Sequence, residues 1–283
     1  MIQNGPPQST TRRCCLWLRA RLYAGLEQWS QVLADADRYV TLGGVDLSYW
    51  QAEALAHLGR EADALSTLDK SIRESPEDVW GYLNRADILF CLGRLDDALE
   101  ATENALDVDP KEAWAHLYRA DYSLHRPGSC ARADADLTRA LELRPTDLNI
   151  KRFEAEIRVL LGLTCPELAA PARSLEMAQE AAKFRPRSFS YQRSLGIALY
   201  ADARYEDAKA TLLGALDLKP KPDPMTLFFL AMTESKLGRQ ADARRTYDRA
   251  VARMNETWPK SPDLVMLKAE AVRLLDRSFR GEG

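Results

Sequence analysis

One phrase recurs along this chain. GRLDDALEATENALDVDP at 93–110 returns as GREADALSTLDKSIRESP at 59–76, ARYEDAKATLLGALDLKP at 203–220 and GRQADARRTYDRAVARMN at 238–255. A chain built from one repeated supersecondary unit buries its core by stacking each copy on the next, which restricts it to a small set of folds. Aligning the copies puts small residues in three columns. The first holds Ala20, Ala52, Ala86, Ala120, Ala155, Gly196 and Ala231, at spacings of 32, 34, 34, 35, 41 and 35. The second holds Val32, Ala64, Ala98, Ala133, Ser174, Ala208 and Ala243; the third holds Ser71, Ala105, Ala140, Ala181, Ala215 and Ala250.

Within a repeat, apolar residues fall at helical spacing, as at Leu95, Leu99 and Leu106, which predicts amphipathic helices rather than strands. Small side chains at a crossing point let two helices approach while larger neighbours interlock. Each repeat therefore reads as a helical hairpin. Gly59, Gly93, Gly162 and Gly238 are expected to end first helices in a left-handed conformation. Pro76, Pro110, Pro145, Pro186 and Pro220 close second helices, since proline lacks the amide donor. Acids such as Asp96-Asp97 and Glu206-Asp207 follow the turns, where a helix amino end favours negative charge.

With its period near 34, small residues at the eighth, twentieth and twenty-seventh places, turn glycine and closing proline, the chain resembles the tetratricopeptide repeats over about residues 13–255, in seven copies. The resemblance implies an all-α, right-handed superhelical solenoid of antiparallel helix pairs. Residues 1–12 and 279–283 read as flexible tails. The first copy departs from the pattern, ending in Gly43-Gly44, and reads as a degenerate or capping repeat. GLTCPELAAP at 162–171 inserts a longer loop with two prolines, where a bend is expected. Residues 256–278 read as a loop and an amphipathic helix from about Asp263 to Arg277, capping the last hairpin.

In this family the second, fifth, sixth, ninth and twelfth places of each first helix line a concave groove. Carried over, the ninth places are Arg21, Glu53, Asp87, Asp121, Glu156, Ile197 and Met232, so four consecutive repeats offer a carboxylate. Tyr49, Trp50, Trp80, Trp114 and Tyr118 accompany them, with Asn84 nearby. Acid beside aromatic surface suits a basic or amphipathic peptide, through charge-assisted hydrogen bonds and cation–π contacts. The same residues also read as packing aromatics and a solvated acidic face. The carboxy-terminal half differs: Phe228, Phe229 and Met232 suit an apolar partner or a neighbouring helix of the same chain. The family's clamp for acidic chaperone tails needs lysine, asparagine and arginine across three repeats; here Asn84 is flanked by Tyr49, Glu53, Trp114 and Tyr118, so the clamp is absent.

The other function classes find little support. A net charge of −3 and a pI near 5.8 supply no basic field for nucleic acid or an anionic membrane. No apolar run approaches the roughly 20 residues of a membrane span. No phosphate loop, nucleophile elbow or paired metal-ligand motif occurs, so no enzyme, cofactor or metal is expected. His57, His116 and His125 read as local hydrogen-bonding residues. Five cysteines, at 14, 15, 91, 130 and 165, show neither a disulfide framework nor zinc spacing and read as small thiols. The expectation is a cytoplasmic, monomeric protein-binding scaffold. The alternative is a self-associating or regulatory segment of a larger enzyme, such as a kinase or transferase, using its apolar carboxy-terminal half.

Overall fold

The computed structural model describes residues 7–42 and 47–279. Gly43-Gly44 and the outermost residues of both expected tails lie outside them. Among the described residues there are fifteen α-helices and no strand: α1 Pro7–Gly25, α2 Trp29–Thr41, α3 Ser48–His57, α4 Glu61–Glu74, α5 Val79–Cys91, α6 Leu95–Val108, α7 Ala113–Ser123 and α8 Cys130–Leu143. There follow α9 Leu148–Thr164, α10 Pro171–Phe184, α11 Phe189–Ala201, α12 Tyr205–Leu216, α13 Pro224–Lys236, α14 Gln240–Glu256 and α15 Pro262–Phe279, with one 3₁₀ turn at Pro166–Leu168. Helix α1 begins at Pro7, inside the stretch expected to be a tail. The helices form two compact units, residues 1–88 and 89–283, and the division falls within α5.

The small-residue columns do what their chemistry requires. In the first unit Ala20, Val32, Ala52, Ala64 and Ala86 are buried, and α1 packs on α2 and α3 on α4. In the second unit Ala98, Ala105, Ala120, Ala133, Ala140, Ala155, Ala208, Ala215, Ala231, Ala243 and Ala250 are all inaccessible. There α7 pairs with α8, α9 with α10, α11 with α12 and α13 with α14. The first helices α7, α9, α11 and α13 also touch one another in sequence, forming a continuous row. Gly196 marks a close crossing: a Cβ placed there would lie 2.6 Å from Leu212 Cδ2 and 3.3 Å from the Leu212 amide nitrogen.

The turns follow the sequence reading except at one glycine. Gly59, Gly93 and Gly238 adopt φ of 75°, 77° and 73°, whereas Gly162 lies inside α9. Its hydrogen side chain instead admits the returning loop, with Ala169 Cβ 3.1 Å from where its own Cβ would stand. Two repeats without a turn glycine place Glu27 and Ala203 in the left-handed region, at φ of 55° and 60°. Helix α9 runs to Thr164 before Pro166 and Pro171 break the path into α10.

Candidate partner-binding faces

In the first unit the predicted residues lie on α3 and α5. Tyr49, Trp50, Glu53, Asn84 and Asp87 are half-buried, while Trp80 remains 43% exposed. The Tyr49 hydroxyl donates to the Asp87 carboxylate at 2.9 Å, and the Tyr49 and Trp50 rings meet edge to face at 5.9 Å. Burial pushes the Asp87 carboxyl above the ordinary aspartate range, and the Tyr49 hydrogen bond offsets only part of that. Trp50, Glu53 and Trp80 leave accessible surface around that bonded pair.

In the second unit Trp114 and Tyr118 on α7 are joined by a residue that sequence reasoning missed, Phe153 on α9. The Phe153 centroid lies 5.8 Å from Trp114 and 5.9 Å from Tyr118; Tyr118 continues at 5.9 Å to buried Tyr122, which stacks on Phe90 at 4.3 Å. Trp114, Tyr118 and Phe153 are each half-buried, so the outer end of this ladder is accessible. Phe153 holds the sixth of the inward places, the one Tyr118 holds in the preceding repeat, so the register reached it and the reading, drawn to the acidic ninth places, passed it over. An aromatic two places before Ala155 was the available signal.

The acids of the second unit do not present a free charge. Asp121 is buried, and Glu156 is 3% exposed. Arg193 Nη2 lies 2.9 Å from Glu156, Arg152 Nη1 lies 3.4 Å away, and the Ser194 hydroxyl also donates to it. Burial alone would raise the Glu156 carboxyl, but the two guanidinium groups and the hydrogen bonds from Arg193 and Ser194 hold it below the ordinary range. Arg193 in turn faces Asp223, the residue capping α13, at 3.7 Å. The carboxylate expected to meet a partner here meets its own chain's arginines, supplied by the same helix and by the next repeat.

Phe228, Phe229 and Met232 are fully buried, so of the two occupants the sequence left open it is neighbouring helices of the same chain that cover them, and these three offer no apolar docking face. Phe229 packs against Tyr200 at 5.5 Å and Phe228 against Tyr247 at 6.1 Å, and α15 lies on α13 and α14. The first turn of α15 and the residues before it reach much further back: Asp263 Oδ1 is 2.8 Å from His125 Nε2, and the Lys260 carbonyl abuts the turn at Gly93. A cavity of about 270 Å³ remains where Arg158, Gly162, Tyr200, Lys236, Glu270 and Arg273 converge. His116 bonds locally, with Nδ1 2.9 Å from Asp136 and Nε2 3.0 Å from the Pro110 carbonyl.

Cys130 and Cys165 form a disulfide, correcting the reading of these two as separate thiols. It joins the first residue of α8 to the residue after α9. Glu167 lies close enough to make this pair the one grouping of three potential metal ligands among the described residues. Sulfurs bonded to each other are not thiolate donors, so such a site would require the reduced form.

Paired helices whose first members form a continuous row define the class, a solenoid of helical hairpins. The tetratricopeptide-repeat family model matches residues 18–79 and 83–147. The matched hairpins are tetratricopeptide repeats, and the helix pairs after residue 147 continue the same arrangement. Its fold is similar to a tetratricopeptide repeat protein from Parabacteroides merdae ATCC 43184, with a TM-score of 0.56 and 12% identity over 94% of this chain and 99% of that one. TTC0263, a thermophilic TPR protein in Thermus thermophilus, matches with a TM-score of 0.52 and 24% identity over 69% of this chain and 100% of that one. A chain of the APC/C hetero-tetramer Cut9–Hcn1 matches with a TM-score of 0.59 and 15% identity, over 88% of this chain and 52% of that one. No curated protein matches at the sequence level.

Proposed function

We propose that this chain is a non-enzymatic scaffold that holds a basic or amphipathic protein segment against the faces of its first helices. In the first unit Tyr49, Trp50, Glu53, Trp80, Asn84 and Asp87 form the contact, with Glu53 supplying charge and the tryptophans area. In the second unit Trp114 and Tyr118, extended by Phe153, supply an apolar platform; Asp121 and Glu156 act from beneath it, Glu156 by fixing Arg152 and Arg193. The observation carrying this reading is the accessible aromatic surface of Trp114, Tyr118 and Phe153 on adjacent first helices. Large, rigid aromatics that are only half covered are the side chains that most often anchor a partner. Tetratricopeptide repeats generally serve protein–protein interaction, and the family match supports that coarser role.

The test is a fluorescence-anisotropy titration of the full chain with a labelled, lysine- and leucine-containing amphipathic 15-mer at two salt concentrations. Trp114→Ala with Tyr118→Ala is expected to weaken binding at least tenfold, about 1.4 kcal/mol or more. Glu53→Lys is expected to lower affinity mainly at low salt. Unchanged affinity in both variants would reject these faces.

A cytoplasmic setting is part of the proposal, and the Cys130–Cys165 pair reports on it. A reducing compartment keeps such a pair as thiols. Alkylation and mass spectrometry of protein recovered from cells would show two alkylated cysteines; a fully formed disulfide would place the protein elsewhere.

A further inference from the structure

Helix α15 is amphipathic in a simple sense. Leu264, Leu267, Ala271, Leu274 and Leu275 are buried, while Val265 and Val272 face outward. A helix serving only to cover the last hairpin would need contacts with α13 and α14 alone. This one does more. Lys260, just before it, sits against the turn between α5 and α6, where a Cβ on Gly93 would lie 2.8 Å from the Lys260 carbonyl oxygen. Asp263, in its first turn, bonds His125 beyond the end of α7, a partner 138 positions earlier. Farther along, Glu270 and Arg273 wall the same cavity as Arg158 of α9, Tyr200 of α11 and Lys236 of α13. The helix thus lies across the carboxy-terminal ends of the row of first helices, the helices proposed above to carry the partner.

Its fit there is incomplete. Beside Glu270, Arg273 and Leu274 the helix borders a solvent-open cleft of about 270 Å³, so along that side its far end meets water rather than packed side chains. Local covering by leucines, one acid bonded to a histidine and a loosely filled far end describe a seated ligand.

We propose that α15, with the 257–262 segment, is a ligand held in cis. It leaves as one piece, and a partner's helix of the same pattern takes its place: an acid in the first turn, then leucine one, four, eleven and twelve places later. This rests on the scaffold reading above and names the partner chemistry of the second unit. The helix-in-groove mode needs only such a stripe of anchors at helical spacing.

Two glycines permit a matched test. Gly93 and Gly238 have φ of 77° and 73°, so alanine is strained alike at both, but nothing lies within 4 Å of a Cβ on Gly238. Gly93→Ala adds the collision with Lys260; Gly238→Ala carries the strain alone. Native-state hydrogen exchange on the full chain is expected to show α15 opening before α13 and α14. Gly93→Ala should speed α15 exchange at least tenfold more than Gly238→Ala does, with α13 and α14 alike in the two. In parallel, a labelled peptide of residues 257–276 should bind Gly93→Ala at least tenfold tighter than the wild-type chain. Concentration-dependent dimers of Gly93→Ala that the peptide dissolves would be the same helix seated in a second copy, and support the proposal. If α15 exchanges together with α13 and α14 in all three proteins, it is an integral cap and the proposal falls. It falls also if the peptide binds none of them. Should the amphipathic 15-mer still bind through Trp114 and Tyr118, the scaffold reading survives that failure; should neither peptide bind, both fall.

Discussion

Gly196 shows how little room a crossing point leaves. Alanine there gains helix propensity worth up to about 1 kcal/mol, but its Cβ would overlap the Leu212 side chain, which is fully buried and cannot swing aside. Overpacking of that kind costs about 1–3 kcal/mol, so Gly196→Ala is expected to destabilise by about 1–2 kcal/mol net. Gly214 is the control, because it lies in α12 with nothing within 4 Å of a Cβ. Gly214→Ala should stabilise by up to about 1 kcal/mol. Urea midpoints of the two variants check the pair; equal signs would refute the packing argument. The same scale explains what the sequence could not disclose about charge. Glu156 falls in an acidic column, but its neutralising partner Arg193 stands 37 positions on, in the next repeat, and only folding brings them together. Asp87, in the same column, engages Tyr49 of the preceding repeat for the same reason.

Among elements, the helices were legible because two periodicities overlap: apolar residues at helical spacing inside each repeat, and small residues at the longer period between repeats. The exceptions have local causes. Gly162 looks like a turn glycine, but the inserted loop after it lets α9 continue to Thr164, and the glycine serves close approach to Ala169 instead. Helix α15 was visible as an amphipathic segment, yet a stripe of leucines states which face is apolar and not what covers it. The disulfide carries no spacing signal, since Cys130 and Cys165 are 35 residues apart on different hairpins. Its effect is measurable. A cross-link closing a loop of that size stabilises by roughly 2–4 kcal/mol in the chain-entropy account. Reduction, or Cys130→Ser, is therefore expected to lower the thermal midpoint by several degrees, read by circular dichroism with and without dithiothreitol. An unchanged midpoint would mean the cross-link adds nothing to the folded array.

For the whole molecule, buried carboxylates set the response to acid. Arg119 and His116 hold Asp136 below its usual range against burial, the arginines do so for Glu156, and Arg193 with the Thr226 amide and hydroxyl does so for Asp223. Depressed folded values mean that these three stabilise the fold above the unfolded carboxylate range near ~4 and lose that contribution as pH falls through the lower folded values. Glu154 works in the opposite sense, because burial against Arg158 raises its carboxyl despite their 2.6 Å bond, so protonation relieves it first. Asp87, also raised by burial, acts as Glu154 does; with three lowered carboxyls against two raised ones, the urea midpoint should fall between pH 7 and pH 3. Glu156→Gln should lower the neutral-pH midpoint and shrink that fall. A midpoint that rises on acidification would contradict the assignment.

The link from Glu156 through Arg193 to Asp223 has a further consequence for anyone hoping to edit this solenoid as beads on a string. From α9 through α11 to α13 each hairpin hands a specific charge to its successor, so these copies are ordered, and excising or shuffling one of them as a cassette would strand a buried ion at the new junction. Similar in outline, the hairpins are not interchangeable, and length variants of this chain would have to be cut where no such handover occurs.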